Sequence, residues 1–179
     1  MKLLIIRHGD PYYEIDSLTQ KGWKEAEYLS EKLCGLDVKA FYMSPLGRAQ
    51  DTAKPTLEKL GRTAEVKEWL REFDVRIQRP DIPDKKMIAW DWLPQDWTQD
   101  EQFYRYDEWY KNTSMVEGHV KEEYDWVTGS FDKLLAEHGP TMIHLYFSAT
   151  LDWDVCWQAI CFPCRRWSFG MEPARHRLL

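Results

Sequence analysis

The run Leu3-Leu4-Ile5-Ile6, closed at once by Arg7-His8-Gly9, constrains this chain more than any other feature. Four consecutive aliphatic residues read as a strand buried on both faces, the kind found in parallel sheets covered by helices. A cation, an imidazole and a glycine turn then stand where the strand ends.

The residues that follow alternate between helix and strand. Thr19 is placed to cap a helix in which Trp23, Ala26, Leu29 and Leu33 recur at helical spacing. Val38 to Met43 reads as the second strand. Ser44-Pro45 opens a second helix with Arg48 in its first turn, and Pro55 is expected to kink or split it. Ala64 to Leu70 supplies a short, charged third strand. Strand-helix-strand-helix-strand predicts an α/β fold, a parallel sheet with helices on both faces.

Residues 74 to 115 interrupt this order with Pro80, Pro83 and Pro94 and a cluster of aromatics: Trp90, Trp92, Trp97, Phe103, Tyr104, Tyr106, Trp109 and Tyr110. They read as an insertion over the rim of the sheet, its aromatics either packing it onto the body or walling a pocket. Tyr124, Val127, Phe131, Leu134 and Leu135 mark an amphipathic helix, ended by Gly139 and Pro140.

A chain of 179 residues fits one domain. Its net charge of -6, with no Lys/Arg stripe, argues against nucleic-acid binding. The first residues are too short an apolar run for a leader or a membrane span, so a cytoplasmic protein is expected. Cys34 stands apart from Cys156, Cys161 and Cys164, which is no disulfide framework, and reduced thiols are expected. The sequence leaves the oligomeric state open.

In open α/β sheets ligands sit beyond the carboxyl ends of the strands. The first two strands deliver Arg7-His8 and Ser44 to Arg48 to that rim. A phosphoryl group needs its oxygens held while charge redistributes, and a planar guanidinium holds them bidentately. His8 suits covalent work because a neutral imidazole nitrogen is nucleophilic near pH 7 when the other nitrogen is bound to a fixed acceptor. Gly9 permits close backbone approach to a ligand. Glu72 is placed to act as general acid toward a leaving alcohol, with Glu68 nearby as its competitor, while Asp10 and Glu14 serve the loop. This chemistry demands neither metal nor cofactor. A Cys/His metal site from Cys156, Cys161, Cys164 and His176 fits no standard zinc spacing.

Arg7-His8-Gly9, Leu18-Thr19 with Gly22, Ser44-Pro45 followed by Arg48-Ala49 and Thr52-Ala53, and Leu70 with Glu72 together resemble the histidine phosphatase, or phosphoglycerate mutase-like, superfamily over residues 1 to about 139. The resemblance implies a three-layer α/β/α fold with a mostly parallel sheet and a phosphohistidine on His8. It also implies phosphate contacts from Arg7 and Arg48, an acid-base role for Glu72 and a phosphorylated small molecule as substrate. A phosphomonoester hydrolase is the expectation. A mutase-type phosphotransferase and an inactive phosphate-ester binding module are the alternatives.

The superfamily also uses a second histidine, in a His-Gly or His-Phe-Gly motif after a later strand. His138-Gly139 follows a helix and His144 lacks the glycine. From Pro140 onward the composition changes: no lysine, three Trp, three of the four Cys and four Arg. Read in the neighbouring frame, Asp152-Trp153 must give Leu, Trp153-Asp154 Gly, Cys156-Trp157 Leu, Trp157-Gln158 Ala and Met171-Glu172 Gly, whatever the codons. The junctions from Tyr146-Phe147 permit a strand, His-Phe-Gly and a helix. Residues 1–139 are thus expected to form the domain, with 140–179 an off-frame tail. The sheet is then incomplete at the C-terminus, lacking a strand and its covering helix unless the tail fills the gap.

Overall fold

The computed structural model describes residues 2–93, 100–105, 107–138 and 143–148. Strand β1 (Lys2–Arg7) leads through a small antiparallel ladder, β2 (Pro11–Tyr12) with β3 (Ser17–Leu18), into helix α1 (Gln20–Leu33). Next come β4 (Ala40–Met43), α2 (Gly47–Leu60) and β5 (Glu65–Val66). The antiparallel pair β6 (Arg76–Arg79) and β7 (Ile82–Ile88) follows, then the short helix α3 (Thr113–Glu117), the long helix α4 (Val120–His138) and β8 (Ile143–Ser148). Among the described residues no helix is long and apolar enough to cross a membrane.

The main sheet has the order β1-β8-β4-β5, and all of its pairings are parallel. The strand latest in sequence enters at the centre, with Lys2 level with Ile143 and Arg7 level with Ser148. Residues 143–148 thus occupy a strand position that the sequence reading expected the sheet to lack. An apolar, β-branched and aromatic segment supplies what such a position requires.

Alternation along the strands sends side chains to two faces. Ile6 and Phe41, flanked by Leu4 and Met43, pack with Leu33, Val38 and Ala53 and with the half-buried Leu29 and Leu57 of α1 and α2. Tyr42, with Leu3 and Ala40, packs with Leu70 and with Leu134 of α4. Burial of β1 is less complete than its composition suggests. Ile5 is 40% exposed, because β8 is the only strand paired with β1 among the described residues.

Thr19 caps α1 as expected, its hydroxyl accepting the Gly22 N–H at 3.1 Å. The buried stripe, however, is Gly22, Ala26, Ser30 and Leu33. It faces an equally small stripe on α2, where Ala49, Thr52, Ala53 and Thr56 are buried. Small residues let the two helices approach closely, and Lys59 Nζ donates across them to Ser30 Oγ at 2.7 Å. Pro55 does not split α2, which runs unbroken from Gly47 to Leu60 with Ala53 and Thr56 fully buried on either side. The third strand is only Glu65–Val66; the 3-10 turn Glu68–Leu70 replaces the rest and delivers Leu70 to the core.

The insertion has a core of its own. Ile77, Trp92 and Val120 are buried together, with Phe73, Val75, Ala89, Phe103, Trp109 and Met115 packed around them. Trp92 meets Phe103 edge to face, and Trp109 meets Tyr110 and Tyr124 in the same way. Packing therefore accounts for Trp92, Phe103, Trp109 and Tyr110. The side chains of Trp90 and Tyr104, like residues 97 and 106, lie outside the described set, as do the expected helix stop at Gly139-Pro140 and the three C-terminal cysteines. Cys34 is a free thiol.

Candidate active site

The end of β1 carries His8 into the interior at 6% exposure. Its Nδ1 lies 2.7 Å from the Gly9 carbonyl oxygen. A carbonyl can only accept, so Nδ1 carries the proton and Nε2 keeps the lone pair. The Gly9 N–H donates to Thr52 Oγ1 at 2.9 Å, and that hydroxyl donates to the Arg48 carbonyl at 2.7 Å. The loop that carries His8 is thereby fastened to α2.

Gly9 serves this packing as much as any ligand. A Cβ on Gly9 would lie 2.9 Å from the Gly22 carbonyl oxygen, and one on Gly22 would lie 2.3 Å from the Asp10 carbonyl oxygen. Two glycines thus allow the loop to cross α1 backbone to backbone. Asp10 serves the loop, as expected: its carboxylate accepts from Thr19 Oγ1 at 2.6 Å and its carbonyl from the Thr19 N–H at 3.0 Å. Glu14 accepts from the Tyr12 hydroxyl.

Arg48 stands in the first turn of α2 and is buried. Its Nη1 donates to Asp16 Oδ1 and its Nη2 to Glu72 Oε2, each at 2.6 Å. The Tyr13 ring covers the guanidinium at 5.4 Å. Glu72 follows the turn Glu68–Leu70, which α4 grips through Trp69 against Phe131 and through Arg71 on Glu123 at 2.7 Å. That grip aims Glu72 inward. Glu68, the competitor, is exposed. Arg7 is exposed at the end of β1 and stays within electrostatic reach of His8.

Burial pushes the His8 imidazole below its ordinary value, and the charges of Arg48 and Arg7 push it the same way. The bond to Gly9 and the charge of Glu72 oppose them without prevailing. The neutral ring is therefore the favoured form at neutral pH. Asp16 is raised by burial, but the Gly47 N–H and Arg48 together bring it below the ordinary carboxylate range.

Thus His8, Arg48 and Glu72 come together as the sequence suggests, with Arg7 at their edge. Asp16 and Thr52 are additions. Asp16 is one of several acids in the loop, and spacing alone does not single it out. Its signature is conformational, a left-handed backbone with φ 48°.

The family model of the histidine phosphatase superfamily (branch 1) matches residues 3–150, a stretch that includes β8. A 2,3-bisphosphoglycerate-dependent phosphoglycerate mutase of Thermoplasma acidophilum is 38% identical over 61 aligned positions, which take in 28% of this chain and 30% of that one. The matched stretch thus spans less than a third of that relative's length. Among solved structures, a phosphoserine phosphatase from Entamoeba histolytica in complex with 3-phosphoglyceric acid superposes with a TM-score of 0.54 at 15% identity. That superposition covers 90% of this chain and 79% of the other. The alpha-ribazole phosphatase of Shigella flexneri gives 0.50 at 19% identity, over 83% and 73%. At these identities the structures speak for the fold, and the family model, which takes in most of the chain, speaks for descent: the chain belongs to the histidine phosphatase superfamily.

Proposed function

We propose that the chain is a cytoplasmic phosphomonoester hydrolase of three-layer α/β/α architecture, acting on a phosphorylated small molecule through a phosphohistidine on His8. The observation that carries this reading is the buried His8 ring, its Nδ1 committed to Gly9 and its Nε2 left as a base, beside an arginine that a carboxylic acid already touches. Nε2 attacks phosphorus and the ester P–O bond breaks. Glu72, protonated, gives its proton to the departing oxygen. Water then attacks the phosphohistidine, Glu72 takes back a proton, and phosphate leaves. Arg48 and Arg7 hold the phosphoryl oxygens throughout. Side chains alone supply this chemistry, and neither nucleic acid nor a membrane takes part.

Turnover is reduced in this reading, because the second pocket histidine is lost. His138 is engaged by the Tyr42 hydroxyl at the end of α4. His144 is level with Leu3, five positions before the level of His8, roughly 16 Å along the strand. The strand β8, paired with both β1 and β4, belongs to the domain rather than to a tail that starts at residue 140, so the off-frame tail is read as beginning after it, over residues 149–179. Nucleotide sequencing across the codons for 135–150 tests this point, and an unbroken frame without an upstream deletion would end it.

The function is tested with a panel of phosphate esters and with trapping of an acid-labile, base-stable phosphoenzyme. Hydrolysis and labelling abolished by His8→Ala are expected. Hydrolysis that survives His8→Ala would overturn the reading. The similarity to a mutase makes transfer back to substrate the second reading. Single-turnover products from the phosphorylated form separate the two.

A further inference from the structure

We propose that Asp16 is a positioning residue for phosphate recognition, locking the Arg48 guanidinium against the first turn of α2. This rests on the reading of Arg48 as a phosphate ligand and adds the device that orients it. One Asp16 carboxylate oxygen accepts from Arg48 Nη1 and the other from the Gly47 N–H, both at 2.6 Å. The helix has no capping side chain of its own, since its N-cap position is Leu46. Asp16 supplies the cap from 31 residues away and holds the arginine with the same group.

The contact is built from backbone as well as side chain. A Cβ on Gly47 would lie 2.2 Å from the Asp16 carbonyl oxygen, so only glycine lets the loop settle here. Asp16 itself takes the left-handed conformation, which short polar side chains tolerate best after glycine. Next to it, Ser17 Oγ donates to Asp51 Oδ2 at 2.5 Å, a second tether between the same loop and helix that does not touch Arg48.

With Nη1 on Asp16 and Nη2 on Glu72, the fork is gripped at both ends and cannot rotate about its long stem. Pre-orientation of this kind lowers the ordering cost of binding an anion. An asparagine cannot do the same. Its single carbonyl oxygen serves one of the two donors, and its NH2 faces the other.

The test is calorimetric titration of the full chain with inorganic phosphate, with thermal melting recorded on each variant. Asp16→Asn is expected to weaken phosphate binding by about tenfold or more. Ser17→Ala is expected to keep the affinity within about twofold while lowering the melting temperature. Asp16→Glu keeps the charge but misplaces it, and it is expected not to restore the affinity. The double variant Asp16→Asn with Arg48→Ala is expected to bind no more weakly than Arg48→Ala alone, because Asp16 acts through that guanidinium. Asp16→Asn within twofold of the unsubstituted chain, full rescue by Asp16→Glu, or additive losses in the double variant would each overturn the inference. Hydrolysis that persists in His8→Ala would instead overturn the reading of the site beneath it.

Discussion

Two helical glycines offer a controlled comparison, because the same substitution meets opposite surroundings. At Gly129, inside α4, an added Cβ meets nothing within 4 Å. Gly129→Ala should therefore show the plain helix-propensity gain of about 0.5–1 kcal/mol and raise the melting temperature by about 1–4 °C. At Gly22, inside α1, the new carbon would sit 2.3 Å from the Asp10 carbonyl oxygen and 3.0 Å from both the Asp10 nitrogen and Leu18 Cβ. Backbone cannot swing aside like a side chain, so loop and helix must part by about 1 Å, at an overpacking cost of about 1–3 kcal/mol. After the propensity gain is subtracted, a net loss of about 1 kcal/mol remains. The larger effect falls on catalysis. Asp10 is two residues from His8, and a 1 Å displacement of a reacting group costs on the order of a hundredfold in rate. Differential scanning fluorimetry and kcat/KM on a phosphate ester measure the two effects separately. A Gly22→Ala variant that melts higher, as Gly129→Ala should, and keeps kcat/KM within twofold would refute the reasoning that the glycine crossing holds the nucleophile in place.

Because the folded His8 titrates below its ordinary value near 6.5, the acid limb of kcat/KM should fall below pH 6.5, and a limb above pH 7 would contradict the burial argument. The same shift makes the unfolded chain bind the proton more readily, so stability should decline as pH falls through the interval between the two values; chemical denaturation of the protein beside His8→Ala shows whether that slope belongs to His8. Arg48→Met leaves Asp16 and Glu72, 39% and 29% exposed, without their cation. Breaking a buried pair costs about 3–5 kcal/mol, and the solvent reaching these carboxylates reduces that to about 1–3 kcal/mol by urea denaturation. Ile77→Ala, at a fully buried position in the insertion's own core, should cost about 2–5 kcal/mol and raise amide exchange in β6 and β7 while leaving the α1 and α2 amides protected.

The candidate site residues were legible in the sequence because each stands at a strand or helix terminus that hydrophobic periodicity locates. His8 follows β1, Arg48 opens α2, and Glu72 follows the turn after β5. Asp16 stayed hidden among the acids of its loop, since a left-handed backbone leaves no periodic trace. The small-residue seam between α1 and α2 escaped notice for a related reason. Large apolar residues dominate a hydrophobicity pattern, while Gly22 and Ser30 carry the contact. Sheet order was out of reach as well. Nothing local in residues 143–148 says that they enter between β1 and β4.

The charge count around Arg48 supports the acid role proposed for Glu72 by a route independent of its position. One guanidinium faces two carboxylates, so the trio is negative before a phosphate arrives, and a dianion entering it meets repulsion. Proton uptake by one carboxylate relieves that repulsion. Asp16 is the poorer choice, because the Gly47 N–H and Arg48 both favour its charged form. Glu72 has the single bond to Arg48, and a phosphate oxygen taking that Nη2 proton would leave its carboxylate beside an anion. Glu72 is therefore the carboxylate better placed to hand a proton to the departing oxygen in the proposed reaction. Binding of sulfate, which is a dianion throughout this pH range, followed by calorimetry in two buffers of different ionisation enthalpy, should register about one proton taken up per anion bound near pH 6.5. In Glu72→Gln that uptake should vanish while the anion still binds. Uptake unchanged by Glu72→Gln would move the proton, and the general acid, to another group.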